Sequence, residues 1–202
     1  TQIVDVNITF TQDAANLLTS LACRCSKLRH LRLNQELSFG VDEQLLNTLA
    51  ARCPDLVELT LNGCGAHFKG QGTVSKTILM PRLQKLKLDS ILNSHALHNL
   101  GSRCPCLVEL RLDCCVVPSI ETLVIFINSC KRLHTLNLVA IDFEKAEEED
   151  VSRLSSLECN SLTSLQLVDS PKVDDATLSA IALQCPNVSH LDIHQMDHPF
   201  SG

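Results

Sequence analysis

The chain has 202 residues, 45% of them hydrophobic but only 3% aromatic, with no Trp or Tyr and a formal net charge of −6. That length supports one sizeable core, which aliphatic side chains must fill. The acidic balance gives no support to a general nucleic-acid role, which favours a basic face. With no apolar run long enough to cross a bilayer and no leader pattern at its start, the chain is expected to have no membrane role.

Val4-Asp5-Val6 look like the tail of a repeat unit whose start is missing, and a helix is predicted over 13–22, with Leu17, Leu18, Leu21 and Ala22 on one side. CSKLRHLRL (25–33) follows, and then a helix over 42–50 whose first turn carries Asp42 and Glu43, where the helix dipole favours acidic residues. CPDLVELTLNGC (53–64) shows the underlying frame most clearly: Leu56, Leu59 and Leu61 in the spacing L-x-x-L-x-L, with a cysteine three residues before and another three residues after. Neither an amphipathic helix nor a simple alternating strand has that spacing. It fits a short strand entered through a tight corner, which leaves unpaired edges and cannot stand alone.

The frame returns as MPRLQKLKL (80–88), CPCLVELRL (104–112), CKRLHTLNL (130–138), CNSLTSLQL (159–167) and CPNVSHLDI (185–193). Between copies, GCGAHFKGQG (63–72) is a glycine-rich turn leaving only 74–79 for a short helix, and further helices are predicted over 95–102, 118–128, 147–157 and 175–183. Pro118 suits a first helical position, where a missing N–H is no loss. The first leucines recur at steps of 28, 27, 24, 26, 29 and 26 residues, within the 20–29 expected of leucine-rich repeats. The expected fold is therefore α/β: a leucine-rich-repeat solenoid spanning 1–202 as a single domain. It would be a right-handed αβ superhelix of horseshoe shape, with a parallel inner sheet of about eight short strands and helices outside. Eight strands at about 4.8 Å give an inner sheet roughly 34 Å across, scaled for a protein partner. Starting at Thr1 with an incomplete first copy, the sequence is expected to be part of a longer chain.

Eight of the eleven cysteines fall in two repeat columns. The position three before the first leucine holds Cys25, Cys53, Met80, Cys104, Cys130, Cys159 and Cys185. The second column holds Thr9, Glu36, Cys64, Ile91, Cys115, Ile141, Ser170 and Met196. A thiol is small and readily buried, which suits a tight helix–strand corner, and packed free thiols fit a reducing compartment. Cys23, Cys106 and Cys114 fall outside the columns. Cys104, Cys106, Cys114 and Cys115 resemble a zinc set only by spacing, and two of them belong to the columns.

The frame C-P-x-L-x-x-L-x-L-x-x-C, with a helix ending in A-x-x-C-P, resembles the cysteine-containing leucine-rich repeat typical of F-box leucine-rich-repeat proteins. VDDATLSAIALQCPNVSHLDI (173–193) and LNTLAARCPDLVELTLNGC (46–64) carry the likeness best. The resemblance implies a non-catalytic substrate-recognition domain of a ubiquitin ligase receptor in the cytoplasm or nucleus. In that family a Skp-type adaptor binds through a separate upstream F-box, of which these residues show no L-P-x-x-hydrophobic segment. The alternative is a repeat scaffold or inhibitor with no ligase link.

Strand alternation assigns the inner face. Between the paired leucines lie Asp5, Arg32, Thr60, Lys87, Arg111, Asn137, Gln166 and Asp192; one position before lie His30, Glu58, Lys85, Glu109, Thr135, Ser164 and His190; one after lie Asn34, Asn62, Asp89, Asp113, Val139, Val168 and His194. The expected partner-binding residues are Arg32, Glu58, Thr60, Lys85, Lys87, Glu109, Arg111 and Asn137. They form either a mixed-charge docking surface for an acidic or phosphorylated segment or a solvated face whose charges pair across strands. His190-x-Asp192-x-His194, with Asp197 and His198, permits zinc, but a polar end strand explains it as well, and no metal or cofactor is expected. Gly65 to Gly72 lacks the lysine of a phosphate loop. The acidic run 144–150 suits a solvated helix start, and the sequons at Asn7 and Asn187 matter only in a secreted chain. No Ser/His/Asp, Cys/His or paired-carboxylate arrangement stands out, so no enzyme activity is expected.

Overall fold

In a computed structural model of the chain, the structure describes residues 5–10, 14–35, 43–62, 80–89, 101, 103–117, 119–143, 156, 160–169 and 175–194. The leucine spacing produces strands β1 (Asp5–Phe10), β2 (His30–Gln35), β3 (Glu58–Asn62), β4 (Lys85–Leu88), β5 (Glu109–Asp113), β7 (Thr135–Val139), β9 (Ser164–Val168) and β10 (His190–His194). They form one parallel eight-stranded sheet in chain order, β1-β2-β3-β4-β5-β7-β9-β10. Helices α1 (Ala14–Arg24), α2 (Glu43–Arg52), α3 (Ile120–Ser129) and α4 (Asp175–Gln184) connect strands, and α1 packs on α2. A second, two-stranded parallel sheet pairs β6 (Val116–Val117) with β8 (Asp142–Phe143).

A recurring set of backbone bonds explains why the cysteine–leucine frame gives this path. The cysteine N–H closes the last helical turn (Cys25 N to Leu21 O, Cys53 N to Leu49 O, Cys185 N to Ile181 O), and its carbonyl then accepts from the first leucine three residues on, at 3.0–3.1 Å at Cys25, Cys53, Cys104 and Cys130. Pro54 and Pro105 sit second in that four-residue turn, where a fixed φ near −65° is already correct. The next carbonyl accepts two donors: Val57 and Glu58 N–H both reach Arg29 O, and Gln84 and Lys85 both reach Val57 O. The same pairing recurs through Val108, His134, Thr163 and their successors, which locks the strands in register. At the exit, Cys114, Ala140 and Asp169 take positive φ of 50°, 49° and 48°. Their N–H groups donate to the carbonyls of Val139, Val168 and His194 on the next strand.

The three leucine rows form the core. Leu28, Leu31 and Leu33, and their counterparts from Leu56 to Leu167 in the five following repeats, are each at most 4% exposed. Burying one such side chain contributes about 1.5–3 kcal/mol. The first cysteine column is buried too: Cys25, Cys53, Cys104, Cys130 and Cys185, with Met80 in the same position. The Cys53 thiol points at the carbonyls of Cys25 (3.6 Å) and Ala22 (3.8 Å) of the preceding unit.

Two expectations need correction. Asp5 pairs with His30, not Arg32, so Val6 and Ile8 fill the rows of Leu31 and Leu33, and Thr9 pairs with Asn34 rather than joining the second cysteine column. The slip is two residues; alternation has period two, so either register keeps the same residues on the same face. Helix α3 begins at Ile120 with Ser119 as its N-cap, the Ser119 side chain accepting from Thr122 N at 3.2 Å, so Pro118 is not its first residue. A hydroxyl that satisfies an orphan N–H defines the start better than the proline does. Cys64, Cys159, the glycine-rich turn, the acidic run, the short helix over 74–79, most of the helices over 95–102 and 147–157, and Asp197 and His198 lie outside the described residues.

Candidate functional site

Leucine burial on one side of the sheet puts a polar surface on the other, in three straight rows set by the strand register. The central row runs Asn7, Arg32, Thr60, Lys87, Arg111, Asn137, Gln166, Asp192. Beside it run Asp5, His30, Glu58, Lys85, Glu109, Thr135, Ser164 and His190. All eight expected partner-binding residues therefore share this face, although Thr60 is only 9% exposed and offers little surface.

The charges on the face are paired. Arg32 holds Glu58 through Nε at 2.9 Å and Nη2 at 2.8 Å. Lys85 meets Glu109 at 2.9 Å, and that hydrogen bond raises the lysine's pKa above its ordinary value. Asp113 serves two cations, Lys87 Nζ at 2.9 Å and Arg111 Nε, which reaches its two oxygens at 2.8 and 2.9 Å. Lys87 and Arg111 stand directly opposite each other, a like-charge pair that Asp113 offsets. His30 contacts Asp5.

These pairs are layered. The Glu58 side chain is 18% exposed beneath Arg32 at 55%; Asp113 is 16% exposed beneath Lys87 at 32% and Arg111 at 39%. In these pairs the cation is the more exposed partner, whereas at the β1 edge the order reverses, with Asp5 at 73% beside His30 at 36%. Beside Arg32 the surface dips into a concavity of about 400 Å³ lined by Asp5, Val6, Asn7, His30, Arg32 and Glu58. Past β5 the face changes: Thr135, Asn137, Ser164 and Gln166 are uncharged, with Val139 and Val168 alongside.

Residues missed by sequence reasoning include Asn7, which accepts from Asn34 Nδ2 at 3.0 Å, while Asn34 Oδ1 accepts from Asn62 at 2.8 Å. Asp113 as a shared anchor was also missed, although Arg-x-Asp spacing places Arg111 and Asp113 on one face and was the available signal. At the far edge His194 Nε2 meets Asp192 at 3.1 Å, and Gln166 donates to the same carboxylate at 2.9 Å. Among the described residues no three His, Cys, Asp or Glu side chains are grouped to hold a metal.

The nine described cysteines are free thiols. Burial pushes Cys53 and Cys130 up to about 11 and Cys104 up to about 12, which leaves them protonated and inert at neutral pH. Cys23 and Cys114 are exposed, and Cys106 is half-buried with Arg132 Nη1 3.7 Å from its sulfur. No described helix is long and apolar enough to cross a membrane. Neither the protein-family models nor the curated proteins contain a match to this chain.

Proposed function

We propose that the chain is a non-catalytic protein-interaction domain of the cysteine-containing leucine-rich-repeat type. In this reading it is a right-handed, horseshoe-shaped solenoid whose concave side is the polar sheet face and whose helices lie outside. The observation that carries the proposal is that face: eight parallel strands in chain order, the paired leucines of β2 to β9 buried on the other side, and two polar rows that run across all eight strands, too long for a small metabolite. The eight residues Arg32, Glu58, Thr60, Lys85, Lys87, Glu109, Arg111 and Asn137 mark the docking area.

The resemblance to F-box leucine-rich-repeat proteins makes the role of ubiquitin-ligase substrate receptor the leading one. A Skp-type adaptor would then bind through an F-box elsewhere in the full protein. A scaffold or inhibitor with no ligase link is the second reading, and the sequence outside these residues discriminates: an F-box there supports the receptor, its absence there the scaffold. Buried, reduced thiols support a cytoplasmic or nuclear setting. Affinity capture from cell extract tests the docking face. Asn137→Trp and Thr135→Trp should each lose partners that wild type and Arg52→Trp retain. Partners kept by both face variants and lost by Arg52→Trp would overturn it. A Skp-type adaptor captured by the full-length protein, and lost on deletion of its upstream segment, separates receptor from scaffold.

A further inference from the structure

Resting on the reading that the polar sheet face is the docking surface, we infer that its occupant is an extended acidic peptide segment. It crosses β2 to β5 at right angles to the strands and carries two carboxylate side chains four residues apart. Three observations carry this. Arg32 and Arg111 lie in the same register row on strands three apart. Each is held by a carboxylate, Arg32 through Nε and Nη2 by Glu58 and Arg111 through Nε by Asp113, which fixes the guanidinium and leaves Nη1 of Arg32 and both Nη groups of Arg111 for a second anion. On these strands each paired cation is more exposed than the carboxylate that holds it: Arg32 over Glu58, Lys85 over Glu109, and Lys87 and Arg111 over Asp113.

The spacing follows from geometry. Three strand intervals of about 4.8 Å separate the two arginines by about 14 Å, and an extended chain advances about 3.3 Å per residue, so about four residues span the gap. An even number returns both side chains to the same side of an extended peptide, which an odd number does not. Lys87, in the same row between them, adds positive charge along the track. Nucleic acid fits less well: an unbroken phosphate backbone would place charges against the exposed Asp5 and Glu109, which two carboxylates set only over Arg32 and Arg111 avoid.

The test uses labelled synthetic peptides with two Glu at i and i+4 in a neutral Ser/Ala background, and compares them with i and i+3 Glu peptides and with Gln at the same places. Fluorescence anisotropy at low salt should show binding of the i, i+4 Glu peptide, and weakening by at least about tenfold for the other peptides. Arg32→Gln and Arg111→Gln should each weaken it about tenfold with an unchanged circular dichroism spectrum, and Arg52→Gln should leave it alone. Failure of every Glu peptide to bind, equal binding of Glu and Gln peptides, insensitivity to both arginine variants, or tighter binding of a phosphopeptide or a single-stranded oligonucleotide would each overturn the inference. If the acidic peptides fail while Asn137→Trp still loses its captured partners, only the chemistry of the occupant is wrong. If Asn137→Trp retains them, the docking face itself is wrong.

Discussion

Thiol reactivity puts the cysteine column to a quantitative test. Cys104 is 1% exposed, and burial raises its pKa from 9.0 to about 12. At neutral pH its thiolate population is therefore roughly a thousandfold below that of an ordinary thiol, and for Cys53 and Cys130, at about 11, roughly a hundredfold below. Only the thiolate attacks, and a buried sulfur must also be uncovered first, so labelling of the column reports opening of the structure rather than intrinsic reactivity. A time course with iodoacetamide, read by peptide mass spectrometry, should show Cys23 and Cys114 modified first and Cys106 next. Cys53, Cys104 and Cys130 should react at least a hundredfold more slowly. In denaturant without reductant all eleven should react. Labelling of Cys104 within tenfold of Cys23 in the folded protein, or a disulfide within the column, would refute the assignment. The same shifts predict alkaline destabilisation. A thiol whose folded pKa is raised keeps its proton while the unfolded chain releases one. Stability is thus whole below the ordinary value of 9.0 and falls as pH rises toward about 11–12, by about 1.4 kcal/mol per pH unit for each of Cys53, Cys104 and Cys130. Urea midpoints that stay flat across that window would contradict the sign.

At Ala140, with φ of 49°, glycine removes a left-handed strain of about 1–2 kcal/mol and adds unfolded-state entropy of about half that, so Ala140→Gly should be neutral to stabilising by up to about 1 kcal/mol, whereas Ala140→Val should destabilise; thermal melts decide. Gly101 is buried, and a methyl there would collide with Ser129 Oγ and sit 3.0 Å from Phe126 Cδ2, so Gly101→Ala should cost about 1–3 kcal/mol and Ser129→Gly should recover part of it; additive losses in the double variant would rule out that contact. Asp113→Asn leaves Lys87 and Arg111 facing each other and should cost about 1–2 kcal/mol, less at high salt, with coupling to Lys87→Met of at least about 0.5 kcal/mol in a double-mutant cycle; a salt-independent loss would mean that packing, not charge, holds this corner.

Arg103 shows how a surface position can mislead. On sequence grounds it is an exposed helix charge, yet its Nη1 donates to Asn47 Oδ1 at 3.2 Å, 56 residues earlier, and its carbonyl accepts from Met80 N. It bridges units two apart. Arg52, exposed at the end of α2, is the better neutral control.

The sequence alone determined which residues face the core and which face outward along β2 to β10. A pleated strand alternates with period two, and the leucines at 31/33, 59/61, 86/88, 110/112, 136/138 and 165/167 leave one arrangement that buries them. It also determined the cysteine column, since a small apolar side chain at a helix–strand corner repeats with the frame. Tertiary structure decided the rest. The register of β1 depends on its pairing with β2, because a two-residue slip leaves alternation intact. The exit turns at Cys114, Ala140 and Asp169, and the β6–β8 pair, exist because backbone groups find partners one repeat away. The layering of Arg32 over Glu58, and of Lys87 and Arg111 over Asp113, was equally out of reach. Long side chains choose among neighbours brought within a few ångströms only when strands about 25 residues apart lie side by side, and a linear pattern carries their charges but not their depth.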